Sequence, residues 1–153
     1  MSVKQTNARK DELQCFDSGL VLRASPLDAS RRFVLLIEDD PQVQAVTHRI
    51  LRANGYEVLC AFNPKSALNH ALEHRLAIAL VLTDLELPGA SGVDVAHSVQ
   101  SLCPNAAVIY MSGYPRSHLA DVPAARFLHK PFSQQELLAS VGEVCPLPAK
   151  TAR

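Results

Sequence analysis

The chain has 153 residues, 48% hydrophobic and 20% charged, which suits one folded domain and excludes a disordered or low-complexity polypeptide. Lys plus Arg number 15 and Asp plus Glu number 15, so the formal charge is zero, and nothing in that balance favours nucleic acid or an anionic membrane as a partner. The apolar run through Ala77 to Leu82, like every other, falls far short of the ~20 residues of a membrane helix, and the first residues hold no secretory core segment, which sets the expectation of a cytoplasmic protein.

Residues 1–31 are polar and without a sustained period, apart from the weak apolar patch Leu20-Val21-Leu22. They read as a flexible arm or linker with at most one short ordered piece. Phe33-Val34-Leu35-Leu36-Ile37 is a short apolar run bounded by charge, the mark of a buried strand. Asp40-Pro41 then opens a helix, with Asp as the cap and Pro at the first helical position. Val43, Val46, Ile50 and Leu51 form its expected inner face, and Asn54-Gly55 stops it. Tyr56 to Ala61 is a second strand. Asn63-Pro64 starts a second helix, with Ala67, Leu68, Ala71 and Leu72 expected inward.

Ala77 to Thr83 reads as a third strand, 87–92 as a loop, and Val93 to Leu102 as a third helix stopped by Pro104. Ala106 to Met111 is a fourth strand, followed by a short, weak helix from Pro115 to about Val122. Arg126 to His129 is a short fifth strand. Ser133-Gln134-Gln135-Glu136 is a capping box, and Leu137, Leu138, Val141 and Val144 follow at helical spacing. Residues 146–153 form a tail, leaving 32–145 as the domain. Five strands alternating with five helices imply an α/β fold: a doubly wound five-stranded parallel sheet, flavodoxin-like (βα)5, with strand order 2-1-3-4-5.

The strand ends carry the chemistry. The first strand ends at Glu38-Asp39-Asp40, the third at Asp84, the fourth at Ser112 and the fifth at Lys130. In an open parallel sheet all these ends lie on one edge, and ligands bind where the strand order reverses, here between the first and third strands. Glu38, Asp39 and Asp84 would meet at that crevice. Three ionised carboxylates need a counter-charge, and all-oxygen ligation suits Mg²⁺. A lysine and a hydroxyl on the other side of Asp84 complete an arrangement for phosphoryl transfer onto a carboxylate.

The segments Val34 to Pro41, Leu82 to Gly92, Met111-Ser112-Gly113 and Lys130-Pro131-Phe132 resemble the response-regulator receiver family of two-component signalling, over roughly residues 33–145. The resemblance implies that Asp84 is the phosphoacceptor and that Glu38 and Asp39 hold Mg²⁺ with the backbone carbonyl of Glu86. It implies that Ser112 hydrogen-bonds the phosphoryl group, that Lys130 pairs with it, and that the bond to Pro131 is often cis. Phe127 matches the aromatic switch position, as Phe rather than Tyr. Glu86 and Tyr114 occupy the positions that tune acyl-phosphate lifetime. The implied donor is a sensor histidine kinase or a histidine phosphotransfer protein. The implied output is protein binding through the surface of the fourth helix, fifth strand and fifth helix, to a downstream partner or, as a homodimer, to a second copy.

A chain of this length leaves no room for an attached output module, so it is expected to be a stand-alone receiver or a piece of a hybrid histidine kinase. A phosphorylation-independent interaction module is the alternative. A haloacid-dehalogenase-type phosphatase would need a D-x-D pattern on the first strand, which is absent, and the acidic loop after that strand would repel a flavin phosphate. No true enzyme activity is expected beyond self-phosphorylation and slow self-dephosphorylation. His70 and His74 stand four apart, but Glu73 between them is expected to point elsewhere, so both histidines read as solvent-facing; His118 and His129 read as surface residues. Cys15, Cys60, Cys103 and Cys145 are scattered and read as reduced thiols, with Cys60 in core packing.

Overall fold

The computed structural model describes residues 31–115 and 126–148, together with 15–16 and 19–20. Five strands form one parallel sheet: β1 (Phe33–Ile37), β2 (Glu57–Ala61), β3 (Ile78–Asp84), β4 (Ala107–Ser112) and β5 (Phe127–His129). Their order is β2-β1-β3-β4-β5, the expected one. The described helices are α1 (Pro41–Ala53), α2 (Pro64–Glu73), α3 (Gly92–Leu102) and α4 (Gln134–Val144), the last being the helix expected fifth. The helix expected at 115–122 lies outside the described residues beyond Pro115, as do most of the arm and the end of the tail. Within the arm, Cys15–Phe16 pairs antiparallel with Gly19–Leu20.

Alternation along the strands splits the core into two layers. Phe33, Leu35, Ile37 and Val81 pack with Ala67 and Ala71 of α2 and Val95, Ala96 and Val99 of α3. Val34, Leu36, Leu80, Leu82, Ile109 and Met111 pack with Leu51 of α1 and Leu137 and Val141 of α4. All five residues of β1 are buried; each Leu or Ile so placed contributes about 1.5–3 kcal/mol. That is why a continuous apolar run, rather than an alternating one, marks the central strand.

The helix starts follow the caps. Asp40 accepts from the backbone of Gln42 and Val43 at the start of α1. Asn63 and Ser66 form a reciprocal capping box on α2, and Ser133 and Glu136 do the same on α4. Ser91 caps α3.

Two expected inner faces are corrected. In α1 the buried residues are Gln44, Thr47 and Leu51, while Val46 is 46% exposed. The reason is polar: the Gln44 amide donates to the carbonyls of Glu38 and Ala61, both at 3.0 Å, and so satisfies two strand ends next to the crevice. In α2, Ala67 and Ala71 face the sheet, but Leu72 is exposed. The 87–92 loop also holds a small antiparallel pair, Glu86–Leu87 with Ala90–Ser91.

Candidate functional site

Register brings the polar residues together. Ile37 lies opposite Thr83, so Glu38 and Asp84 continue past the sheet side by side. Asp84 lies opposite Met111, and Ser112 opposite His129. Backbone bonds carry the ladder beyond the strands: Leu85 N–H donates to Met111 O (2.9 Å), Lys130 N–H to Ser112 O (2.8 Å) and Glu38 N–H to Ala61 O (3.1 Å). Glu38, Asp84, Ser112 and Lys130 are thereby fixed on one edge by main-chain geometry.

Gly92 closes the site from beneath. A Cβ on it would stand 2.0 Å from the Asp84 carbonyl oxygen and 2.7 Å from Leu85 Cα, so only glycine lets the start of α3 reach the end of β3. Its N–H donates to Leu85 O at 2.9 Å. No feature of the sequence pattern singled this residue out, because the constraint is a contact between two backbones.

Glu38 is 1% and Asp84 5% exposed. The Lys130 ammonium lies 2.6 Å from Glu38 Oε2 and 2.6 Å from Asp84 Oδ2. Burial pushes the Glu38 carboxyl above its ordinary range, and the Lys130 contact only partly opposes it. Burial alone would lower the Lys130 pKa, but Asp84 and Glu38 together outweigh it and hold the ammonium above its usual value. Asp84 Oδ1 accepts from Glu86 N–H at 2.9 Å, and Glu38 Oε1 from Asp40 N–H at 3.1 Å. Both carboxylates are thus held by backbone donors on one oxygen and share the lysine on the other.

Asp39 is less buried and completes the acidic trio; one carboxylate oxygen from each of Glu38, Asp39 and Asp84 lies within 4.8 Å of the others. One ammonium does not balance three carboxylates, and the donors are all hard oxygens. That set fits a small divalent cation such as Mg²⁺.

Ser112 is buried, and its hydroxyl donates to Glu86 Oε1 at 2.6 Å while accepting from Tyr114 N–H at 3.0 Å. Tyr114 and the Glu86 side chain are exposed beside it. Phe127 is half-buried and packs on the α2–α3 layer. The Lys130–Pro131 peptide is cis. Beside Lys130 an open groove of about 420 Å³ is lined by Gln42, Val43, Val46, Thr47, Pro131 and Phe132.

The response regulator receiver domain model matches residues 34–142. The chain belongs to the response regulator receiver family. Among curated relatives of this receiver, the transcriptional regulatory protein KdpE of Mycobacterium tuberculosis is 34% identical over 110 residues, 69% of this chain and 47% of KdpE. The sensor kinase CckA of Brucella abortus is 31% identical over 128 residues, 81% of this chain but 13% of the kinase. The receiver thus spans about half of the one relative and a small part of the other. The crystal structure of the receiver domain from the hybrid histidine kinase CckA matches with a TM-score of 0.63 and 32% identity, over 72% of this chain and 96% of that one. The receiver domain protein from Clostridium thermocellum matches with a TM-score of 0.67 and 26% identity, over 74% and 93%.

Two expectations about histidines are corrected. His70 and His74 are half-buried rather than solvent-facing, and Glu73 does join them: one ligand atom from each of the three can be chosen within 4.8 Å of the others. His70 turns over the outer edge of β2, where the Cys60 carbonyl has no strand partner, and bonds it at 3.0 Å. His74 is covered by the Phe33 ring, with centroids 5.1 Å apart. His129 is exposed as expected, and His118 lies outside the described residues. Cys60, Cys103 and Cys145 are free thiols whose pKa values burial pushes up, which makes them poor nucleophiles. Cys60 is only partly buried, at the margin of the α1–α4 layer. Among the described residues no helix is long and apolar enough to cross a membrane.

Proposed function

We propose that Asp84 accepts a phosphoryl group from a phosphohistidine donor, as the receiver of a two-component system. The observation that carries this reading is the placement of Asp84. It is a buried carboxylate with a lysine on one oxygen, a backbone N–H on the other and two further acidic residues alongside. A carboxylate oxygen of Asp84 attacks phosphorus, the phosphorus–nitrogen bond to the donor imidazole breaks, and the electron pair leaves with the imidazole. Lys130 stays in ion-pair range to offset charge on the transferring group, and the Asp84 backbone is held in place by β3, β4 and Gly92. Glu38, Asp39, Asp84 and the Glu86 carbonyl would hold Mg²⁺, which when bound supplies charge neutralisation at the phosphoryl oxygens.

At rest the Ser112 hydroxyl is engaged by Glu86. A phosphoryl oxygen offers a stronger acceptor, so Ser112 would exchange partners and Phe127 would move into the space it leaves. The surface of β5 and α4, with the helix expected from the sequence at 115–122, would then change its affinity for a downstream protein or a second copy. The groove of Val43, Val46 and Phe132 adjoins Lys130 and offers apolar contact to an incoming kinase or phosphotransfer helix. This reading places the protein in the cytoplasm and gives it no reaction beyond its own phosphorylation and slow hydrolysis.

The test is labelling from a phosphohistidine protein with Mg²⁺ present. Wild type should gain acid-labile, hydroxylamine-sensitive phosphate, and Asp84→Asn should gain none. Full labelling of the variant would move the acceptor elsewhere and overturn the assignment.

A further inference from the structure

We propose that His70, Glu73 and His74 bind a divalent transition-metal ion of the Zn²⁺ class at the C-terminal end of α2. The proposal is independent of the phosphoryl chemistry at Asp84. Three observations carry it, and the first is a set of donors. Two imidazoles at i and i+4 and a carboxylate between them offer ligand atoms all within 4.8 Å of one another. Two nitrogens with one oxygen suit Zn²⁺ or a neighbouring first-row ion and do not suit Mg²⁺.

The second observation fixes a tautomer. His70 Nε2 lies 3.0 Å from the Cys60 carbonyl. A carbonyl only accepts, so Nε2 carries the hydrogen and the neutral ring holds its lone pair at Nδ1. A ligating histidine is ordinarily prepared in this way, with its second nitrogen donating to a backbone carbonyl. The third observation is that this nitrogen is unused. The Nδ1 atoms of His70 and His74 are both buried and have no hydrogen-bond partner. A buried nitrogen lone pair without a partner is costly, and an ion would satisfy both.

The geometry can close. Ligand atoms on one tetrahedral ion stand about 3.4 Å apart. The Glu73 side chain is 69% exposed, and its carboxylate, which now stands 3.8 Å from His74 Nε2 rather than beside the unpartnered Nδ1, has room in solvent to turn into the site. The two rings are roughly parallel, with centroids 6.3 Å apart. Water would fill the remaining position.

The experiment uses the full chain in reducing buffer with excess Mg²⁺, which keeps the acidic trio out of competition. Zn²⁺ is titrated calorimetrically, and Co²⁺ is followed by its visible spectrum. One equivalent should bind, with a tetrahedral Co²⁺ spectrum lacking a thiolate charge-transfer band. His74→Gln should weaken binding roughly tenfold or more, while Cys60→Ser should leave it unchanged. Long-range imidazole NMR on the wild type needs no variant to fold, and should show His70 ligating through Nδ1 with Nε2 still protonated. No binding, binding unaffected by His74→Gln, a thiolate band, or an unmoved His70 Nδ1 resonance would each overturn the site.

Discussion

Replacing Lys130 with Met removes the cation that the fold sets against Glu38 and Asp84. Its ammonium lies 2.6 Å from both carboxylates, whose side chains are 1% and 7% exposed. Breaking a fully buried ion pair by deleting one partner costs about 3–5 kcal/mol. The lysine itself is 21% exposed, so solvent screens the pair, and about 2–3 kcal/mol is the expected loss near neutral pH in EDTA. For a domain of this size that lowers Tm by roughly 10 °C. The loss should depend on pH in a defined direction. Glu38 already sits above the ordinary 4.5 because of burial, and without Lys130 it must rise further. A carboxyl with a raised folded pKa binds a proton that the unfolded chain has released, so stability falls as pH rises through that window. Lys130 itself stays charged throughout that window: its folded pKa is raised, so its own titration removes stability only in strong alkali, and the pH dependence comes from Glu38. The deficit of Lys130→Met should therefore shrink towards pH 4.5 and be largest above the folded pKa of Glu38. Added Mg²⁺ should also reduce it, by supplying the missing counter-charge. Urea unfolding of both proteins between about pH 5 and pH 8, with EDTA or Mg²⁺, measures this directly. A deficit identical at all pH values and indifferent to Mg²⁺ would mean that the lysine contributes only the packing of its stem, and the electrostatic account of the site would fail.

Gly92→Ala should destabilise by about 3 kcal/mol or more, the upper end for overpacking, since its Cβ meets backbone rather than a yielding side chain; chemical denaturation checks it, and a loss below 1 kcal/mol would show that the two backbones can part. Glu86→Gln keeps an oxygen for the Ser112 hydroxyl but removes a charge beside the phosphoryl group proposed to reach Asp84. A dianion repelled by one carboxylate across ~6 Å of water loses about 1 kcal/mol, so self-phosphorylation from a small phosphodonor should quicken roughly fivefold; an unchanged rate would place Glu86 outside the field of the reacting group.

The sheet was legible because its signals are local. Phe33–Ile37 is apolar at every position, and Asp40-Pro41, Asn63-Pro64 and the Ser133–Glu136 box each announce a helix within four residues. The helix faces were less legible. Counting apolar residues at helical spacing selects Val43 and Val46, but α1 turns Gln44 and Thr47 inward. A periodicity argument scores a buried glutamine as surface. It cannot know that two strand-end carbonyls need donors, because Glu38 and Ala61 are adjacent only once β1 and β2 have paired.

The candidate site divides in the same way. Which residues gather was readable, since parallel strands deliver their ends to one edge, and Glu38, Asp84, Ser112 and Lys130 all stand there. Which residue partners which was not. Position alone suggests that Ser112 and Lys130 flank Asp84 equally, yet Lys130 bridges Asp84 to Glu38 while Ser112 turns to Glu86. The difference follows from burial. Two carboxylates shielded from water demand a full charge, which only the lysine carries, whereas an exposed Glu86 can be met by a neutral hydroxyl. The resting arrangement therefore keeps the lysine committed and the serine replaceable. On the proposed reading, a phosphoryl group on Asp84 would take the Ser112 hydroxyl from Glu86, an exchange that costs little because Glu86 can return to water.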